Sequence, residues 1–121
     1  MALKKISFRK LAVKAAHAAD AKKAEDIVIL DIRKITAIAD YLLLITGTSS
    51  PHVRNLQEEI QKAFDSSKVR LLHHEGRKGS MWHVLDYGGV VIHIMGEELR
   101  QFYALDKLWQ DARKLSWLKN L

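Results

Sequence analysis

Two short apolar runs constrain the fold more than anything else in this chain. Ile27-Val28-Ile29-Leu30-Asp31-Ile32 and Tyr41-Leu42-Leu43-Leu44-Ile45-Thr46 are continuous and of strand length. A strand with one wet face alternates apolar and polar residues; a strand apolar at successive positions needs cover on both faces. Both runs therefore belong inside a sheet that other layers cover. The connector Ile35-Thr36-Ala37-Ile38-Ala39 reads as irregular, and the second run ends at Gly47.

Helices flank this pair. Ser7 is placed to cap a first helix over 8–20, in which Leu11, Ala12, Ala15, Ala16 and Ala19 share one face. The alanines allow close approach to a sheet. Thr48-Ser49-Ser50-Pro51 opens a second helix, with Val53, Leu56, Ile60 and Phe64 as its apolar stripe to about residue 66. Lys68-Val69-Arg70-Leu71-Leu72 reads as a third strand. Beyond the hairpin described next, Glu97 and Glu98 suit a helix N-terminus. Leu99, Phe102, Leu105, Leu108 and Trp109 follow at helical spacing, with a break near Ala104 and Phe102 facing the core.

The stretch from Glu75 to Ile94 reads as a hairpin turned at Gly88-Gly89. That turn pairs Tyr87 with Val90, Asp86 with Val91, Leu85 with Ile92, Val84 with His93 and Trp82 with Met95. Alternation then puts His83, Leu85, Tyr87, Val90, Ile92 and Ile94 on one face, which is mainly core. Trp82, Val84, Asp86, Val91, His93 and Met95 share the other. A large aromatic, an acid, an imidazole and a thioether together have the composition of a protein-binding surface. The alternative is a face covered by a helix, with Asp86 and His93 paired to each other or to backbone. Arg100 and Tyr103, three apart on the next helix, either extend this face or pack over the sheet edge.

The element order is α-β-β-α-β-β-β-α, an α/β fold with a mixed five-stranded sheet and flanking helices. At 121 residues, 48% of them hydrophobic, residues 1–121 are expected to form one domain with an ordinary core. There is no cysteine, which removes disulfides and thiolate metal sites and fits a cytoplasmic protein. No apolar run approaches the roughly 20 residues that span a bilayer, so no membrane partner is expected. Lys4, Lys5, Arg9, Lys10 and Lys14 read as a basic first helix rather than an import signal. The net charge of +6 is compatible with phosphate polyanions but carries no base-recognition pattern.

The chain offers little chemistry. Six histidines are present, yet none stands in an HExxH or H-x-H spacing, so no metal is expected. Gly47-Thr48-Ser49-Ser50 lacks the phosphate-loop patterns and reads as a strand-to-helix turn. Ser49, Ser50 and Ser80 have no GxSxG context. Asp31 and Asp40 are a weak candidate pair for Mg²⁺.

The order and spacing of several blocks carry a resemblance. These are Lys23-Ala24-Glu25-Asp26-Ile27-Val28-Ile29-Leu30-Asp31, Ala39-Asp40-Tyr41, Thr46-Gly47-Thr48-Ser49, Glu75-Gly76, Trp82-His83-Val84-Leu85-Asp86-Tyr87-Gly88, Val91-Ile92-His93 and the run from Arg100 to Trp109. From about residue 10 to 113 the chain resembles the Iojap family, the ribosomal silencing factors (RsfS). The resemblance implies a nucleotidyltransferase-related α/β domain that is not an enzyme and needs no cofactor. It also implies binding to the large ribosomal subunit through ribosomal protein uL14, with rRNA close by, and steric blocking of subunit joining that represses translation. Glu75 and Asp86 would then meet basic residues of uL14, Trp82 and Tyr87 would supply apolar anchors, and His93, Arg100 and Tyr103 would complete the surface. Two positions depart from the family: Gly89 stands where an Asp is usual after Tyr-Gly, and Asp106 where a Glu is usual. The competing readings are a divergent nucleotidyltransferase, for which no Gly-Ser with an Asp-x-Asp pair is present, and a homodimeric adaptor that uses the Trp82 face on itself.

Overall fold

A computed structural model describes residues 7–118. The elements are α1 (Phe8–Ala21), β1 (Glu25–Asp31), β2 (Tyr41–Gly47), α2 (Ser50–Ser66), β3 (His73–Glu75), β4 (Trp82–Asp86), β5 (Val90–Gly96), α3 (Glu97–Phe102), α4 (Leu105–Leu108) and β6 (Arg113–Leu115). The mixed α/β fold has six strands in the order β3-β4-β5-β2-β1-β6, one more than the sequence reading supplied. The extra strand is β6, a three-residue segment beside β1, too short and too charged to carry a strand pattern.

Every residue of β2 is buried, as a central strand with two covered faces must be. β2 runs parallel to β5, and the remaining pairings are antiparallel. α1 and α2 cover one face. Ser7 Oγ accepts from Lys10 N–H at 3.2 Å and Ser49 Oγ from His52 N–H at 3.2 Å, which satisfies a free donor at each helix start. Leu11, Ala12, Ala15, Ala16 and Ala19 of α1 meet Val53, Leu56, Ile60 and Phe64 of α2 over Ile29, Leu43, Ile45 and Ile92. On the opposite face Leu30, Leu42, Leu44 and Met95 are covered by Leu105, with Leu99, Trp109 and Ala112 beside it. That second cover is small. It reaches β1, β2 and the end of β5, and leaves much of β3 and β4 without a helix.

Residues 68–72 do not form the expected third strand. Lys68 takes a left-handed φ of 57°, and ladder pairing with β4 begins only at His73. Leu72 lies 60% exposed beside the hairpin turn. Trp117 docks on the α1 side: its Nε1–H donates to the Ile27 carbonyl at 3.1 Å and His17 packs against its ring. Among the described residues no helix is long and apolar enough to cross a membrane.

Candidate functional site: an open sheet face with an aromatic corner

The hairpin has the register its glycines imply. Trp82 pairs with Met95, Val84 with His93, Leu85 with Ile92 and Asp86 with Val91, and Tyr87 N–H donates to the Val90 carbonyl at 2.9 Å. Gly88 takes φ 89°, the left-handed turn position. His83, Leu85, Tyr87, Val90, Ile92 and Ile94 are accordingly buried toward α1 and α2. Trp82, Val84, Asp86, Val91 and His93 are half-buried on the other face.

At one end of that face an aromatic corner assembles. The Trp82 and Tyr103 rings lie 5.1 Å apart, and Tyr103 meets Phe102 edge-on at 5.0 Å. Phe102 is 79% exposed and Tyr103 52%. Trp82 Nε1–H donates to His93 Nδ1 at 3.0 Å. An indole nitrogen only donates, so His93 is neutral here with its proton on Nε2. Burial pushes the His93 pKa down, which keeps that acceptor available. Asp86 does not pair with His93; its carboxylate accepts from Gly88 N–H at 2.8 Å and rigidifies the turn. Glu75, at the exposed sheet edge, pairs with His73.

Three sequence expectations are corrected by this geometry. Phe102 does not face the core: α3 ends there, and Ala104 at φ 49° turns the chain before helical spacing can carry Phe102 inward. Tyr87 is not an anchor on the open face. It is 4% exposed, with its ring 4.5 Å from that of Phe64. Burial, reinforced by the charge of Asp65, pushes its phenol up to about 12. Arg100 extends no exposed face either. It is 7% exposed, with Nε and Nη2 donating to the two oxygens of Asp106 at 2.8 and 2.9 Å. Its Nη1 donates to Thr46 Oγ1 at 2.9 Å and to the Asp26 carbonyl. Asp106, the second departure from the family pattern, is thus the acid that holds Arg100, and this contact is the largest cause lowering its pKa.

The first departure has a packing reason. A Cβ built on Gly89 would lie 2.2–2.4 Å from three ring carbons of Phe8, so the position where the resemblance leads one to expect an acid is here the seat of a phenyl ring. No element of the sequence reading joined Phe8 to the turn, and only the fold brings them together.

Other candidates are occupied locally. Asp31 is bound by Arg33 through two side-chain hydrogen bonds of 2.9 and 2.7 Å and a backbone one of 3.1 Å, which hold its carboxyl down to about 2. Thr48 N–H donates to His52 Nδ1 at 2.9 Å and His52 N–H to Ser49, so the Gly47–Ser50 turn spends these donors on its own cap. His74 and His83 share one hydrogen bond of 3.0 Å. Among the described residues no three His, Asp or Glu side chains are grouped to hold a metal.

Two long helices over one face of a six-stranded sheet, and a short aromatic corner on the other, define a small mixed α/β protein with an open, aromatic-edged face. Residues 5–120 match the family described as "Ribosomal silencing factor during starvation", and the chain belongs to that family. It is 39% identical over 98 residues to Ribosomal silencing factor RsfS of Bacillus subtilis, covering 81% of this chain and 83% of that protein. It is 31% identical over 91 residues to the mouse protein named Mitochondrial assembly of ribosomal large subunit protein 1, covering 73% of this chain and 40% of that one. A crystal structure of a Chromobacterium violaceum protein superposes with a TM-score of 0.82 at 28% identity, covering 92% of both chains.

Proposed function

We propose that this chain is a cytoplasmic translation repressor that acts as a single domain without catalysis. It binds the large ribosomal subunit through uL14, with rRNA nearby, and blocks joining of the small subunit by occupying the space. Family membership supports a ribosomal role, and the name of the mouse relative points to the large subunit. The observation that carries the docking half is the aromatic corner: Tyr103 in contact with both Trp82 and Phe102, beside the part of the sheet face over β3 and β4 that α3 and α4 leave uncovered. Rigid, partly exposed aromatics are the residues that most often anchor protein interfaces. Glu75 and Asp86 on the same face complement a basic ribosomal protein, and Val84 and Val91 supply flat apolar area between them.

Titration of the labelled protein against purified uL14 and against intact large subunits tests this. Trp82→Ala is expected to weaken both by roughly 30-fold, from about 2 kcal/mol lost with an interfacial aromatic anchor. Wild-type protein that binds neither, or a Trp82→Ala protein that binds as wild type does, would remove the proposal.

A further inference from the structure

The turn that carries Phe102 and Tyr103 has little local support of its own. α3 has 6 residues and α4 has 4, lengths at which a helix has little intrinsic stability. Ala104 between them sits at φ 49° and ψ 45°, a left-handed conformation that a Cβ disfavours. Such a residue persists where its surroundings hold it. Phe102, Tyr103 and Leu108 are exposed, so packing anchors the segment only at Leu99, Leu105 and Trp109, on either side of the turn.

One side chain crosses the corner. Arg100 grips Asp106 of α4 with two hydrogen bonds, and grips the sheet through Thr46 at the end of β2 and the Asp26 carbonyl of β1. These are the only side-chain hydrogen bonds made by residues 97–112 among the described residues. A planar guanidinium can hold a carboxylate and two sheet acceptors at once; an ammonium has neither the fork nor the reach.

We propose that Arg100 is a positioning residue for the docking face: it fixes the α3–α4 corner so that Tyr103 stands against Trp82, and itself touches no partner. The identity of the partner rests on the proposed function; the positioning does not. Two readouts separate them. The first is the ¹⁵N resonance of the Trp82 indole, assigned with Trp82→Phe. Arg100→Met and Arg100→Lys are both expected to move it toward its position in Tyr103→Ala, while the Trp117 indole, bonded to Ile27 across the sheet, stays. The second is binding to purified large subunits at a temperature where melts show every variant folded. Arg100→Met should weaken binding about tenfold in the wild-type background and less than about threefold when Tyr103 is already Ala, because coupled residues are not additive.

Should Arg100→Met not fold, Asp106→Asn cuts only the α4 grip at a half-exposed carboxylate and is read in the same two ways. An unmoved Trp82 indole, or equal loss of binding in both backgrounds, would overturn the inference. A wild-type protein that fails to bind subunits, with the indole shift present, would refute the docking partner and leave the positioning role standing.

Discussion

Replacing Gly89 by Asp, the residue that the resemblance leads one to expect after Tyr87-Gly88, should destabilise this chain. Gly89 does not occupy the left-handed region, so an L side chain is compatible with its backbone; what excludes one is the Phe8 ring, with three carbons 2.2–2.4 Å from where the Cβ would lie. Phe8 must leave its seat. Its ring is half-buried at the edge of the α1–α2 core, and losing that contact costs about 1–2 kcal/mol. For a chain of this length that lowers Tm by roughly 4–8 °C. Gly89→Ala, which adds the Cβ without the charge, should account for most of the loss. Thermal melts of Phe8→Ala, Gly89→Asp and the double variant close the cycle. With Phe8 already truncated, Gly89→Asp should cost little, giving a coupling of about 1 kcal/mol. Penalties that simply add would refute the reasoning and move the cause to charge repulsion with Asp40 or Asp86.

Three further outcomes follow from the same geometry. Ala104→Gly removes a Cβ from a left-handed residue and should stabilise the protein by about 0.5–1 kcal/mol, read as a raised Tm, with unchanged ribosome binding. The His93 pKa is lowered by burial from the usual 6.5, so its contribution is complete above pH 6.5 and is lost as pH falls below that through the folded value. Melts between pH 7.5 and 5.5 should therefore show a flatter pH dependence in His93→Gln, which keeps an acceptor for Trp82 without titrating. Trp117→Ala leaves the Ile27 carbonyl without its donor and should cost about 1–3 kcal/mol by chemical denaturation, with no effect on subunit binding per folded molecule.

The parts of the fold that were legible in the sequence are those where one local rule acts alone. Ser7 and the alanine stripe locate α1, and Gly88-Gly89 sets the hairpin register, because a two-residue turn leaves one way to pair the strands. The open face follows from that register, including the separation of Trp82 and His93 from Tyr87. Legibility ended where tertiary partners decide. Leu71 and Leu72 have strand composition, but the backbone turns at Lys68 and the ladder starts later. β6 exists because β1 offers an edge, a fact no property of Arg113-Lys114-Leu115 announces. Phe102 was misplaced because helical spacing was extended through a helix that stops. Arg100 reads as a surface cation until Asp106, Thr46 and Asp26, separated by up to 74 positions from it, are seen to converge on one guanidinium. In the sequence the Arg100–Asp106 contact shows only as a spacing of six residues.

In the proposed steric role, protein bound at the aromatic-edged face of the sheet keeps the ribosomal subunits apart. Purified large subunits incubated with the protein, mixed with small subunits and resolved on a sucrose gradient measure this directly. Wild-type protein is expected to sediment with the large subunit and to lower the joined-ribosome peak in proportion to its occupancy, and Trp82→Ala to do neither at the same concentration. Full joining with wild-type protein bound to the large subunit would contradict it.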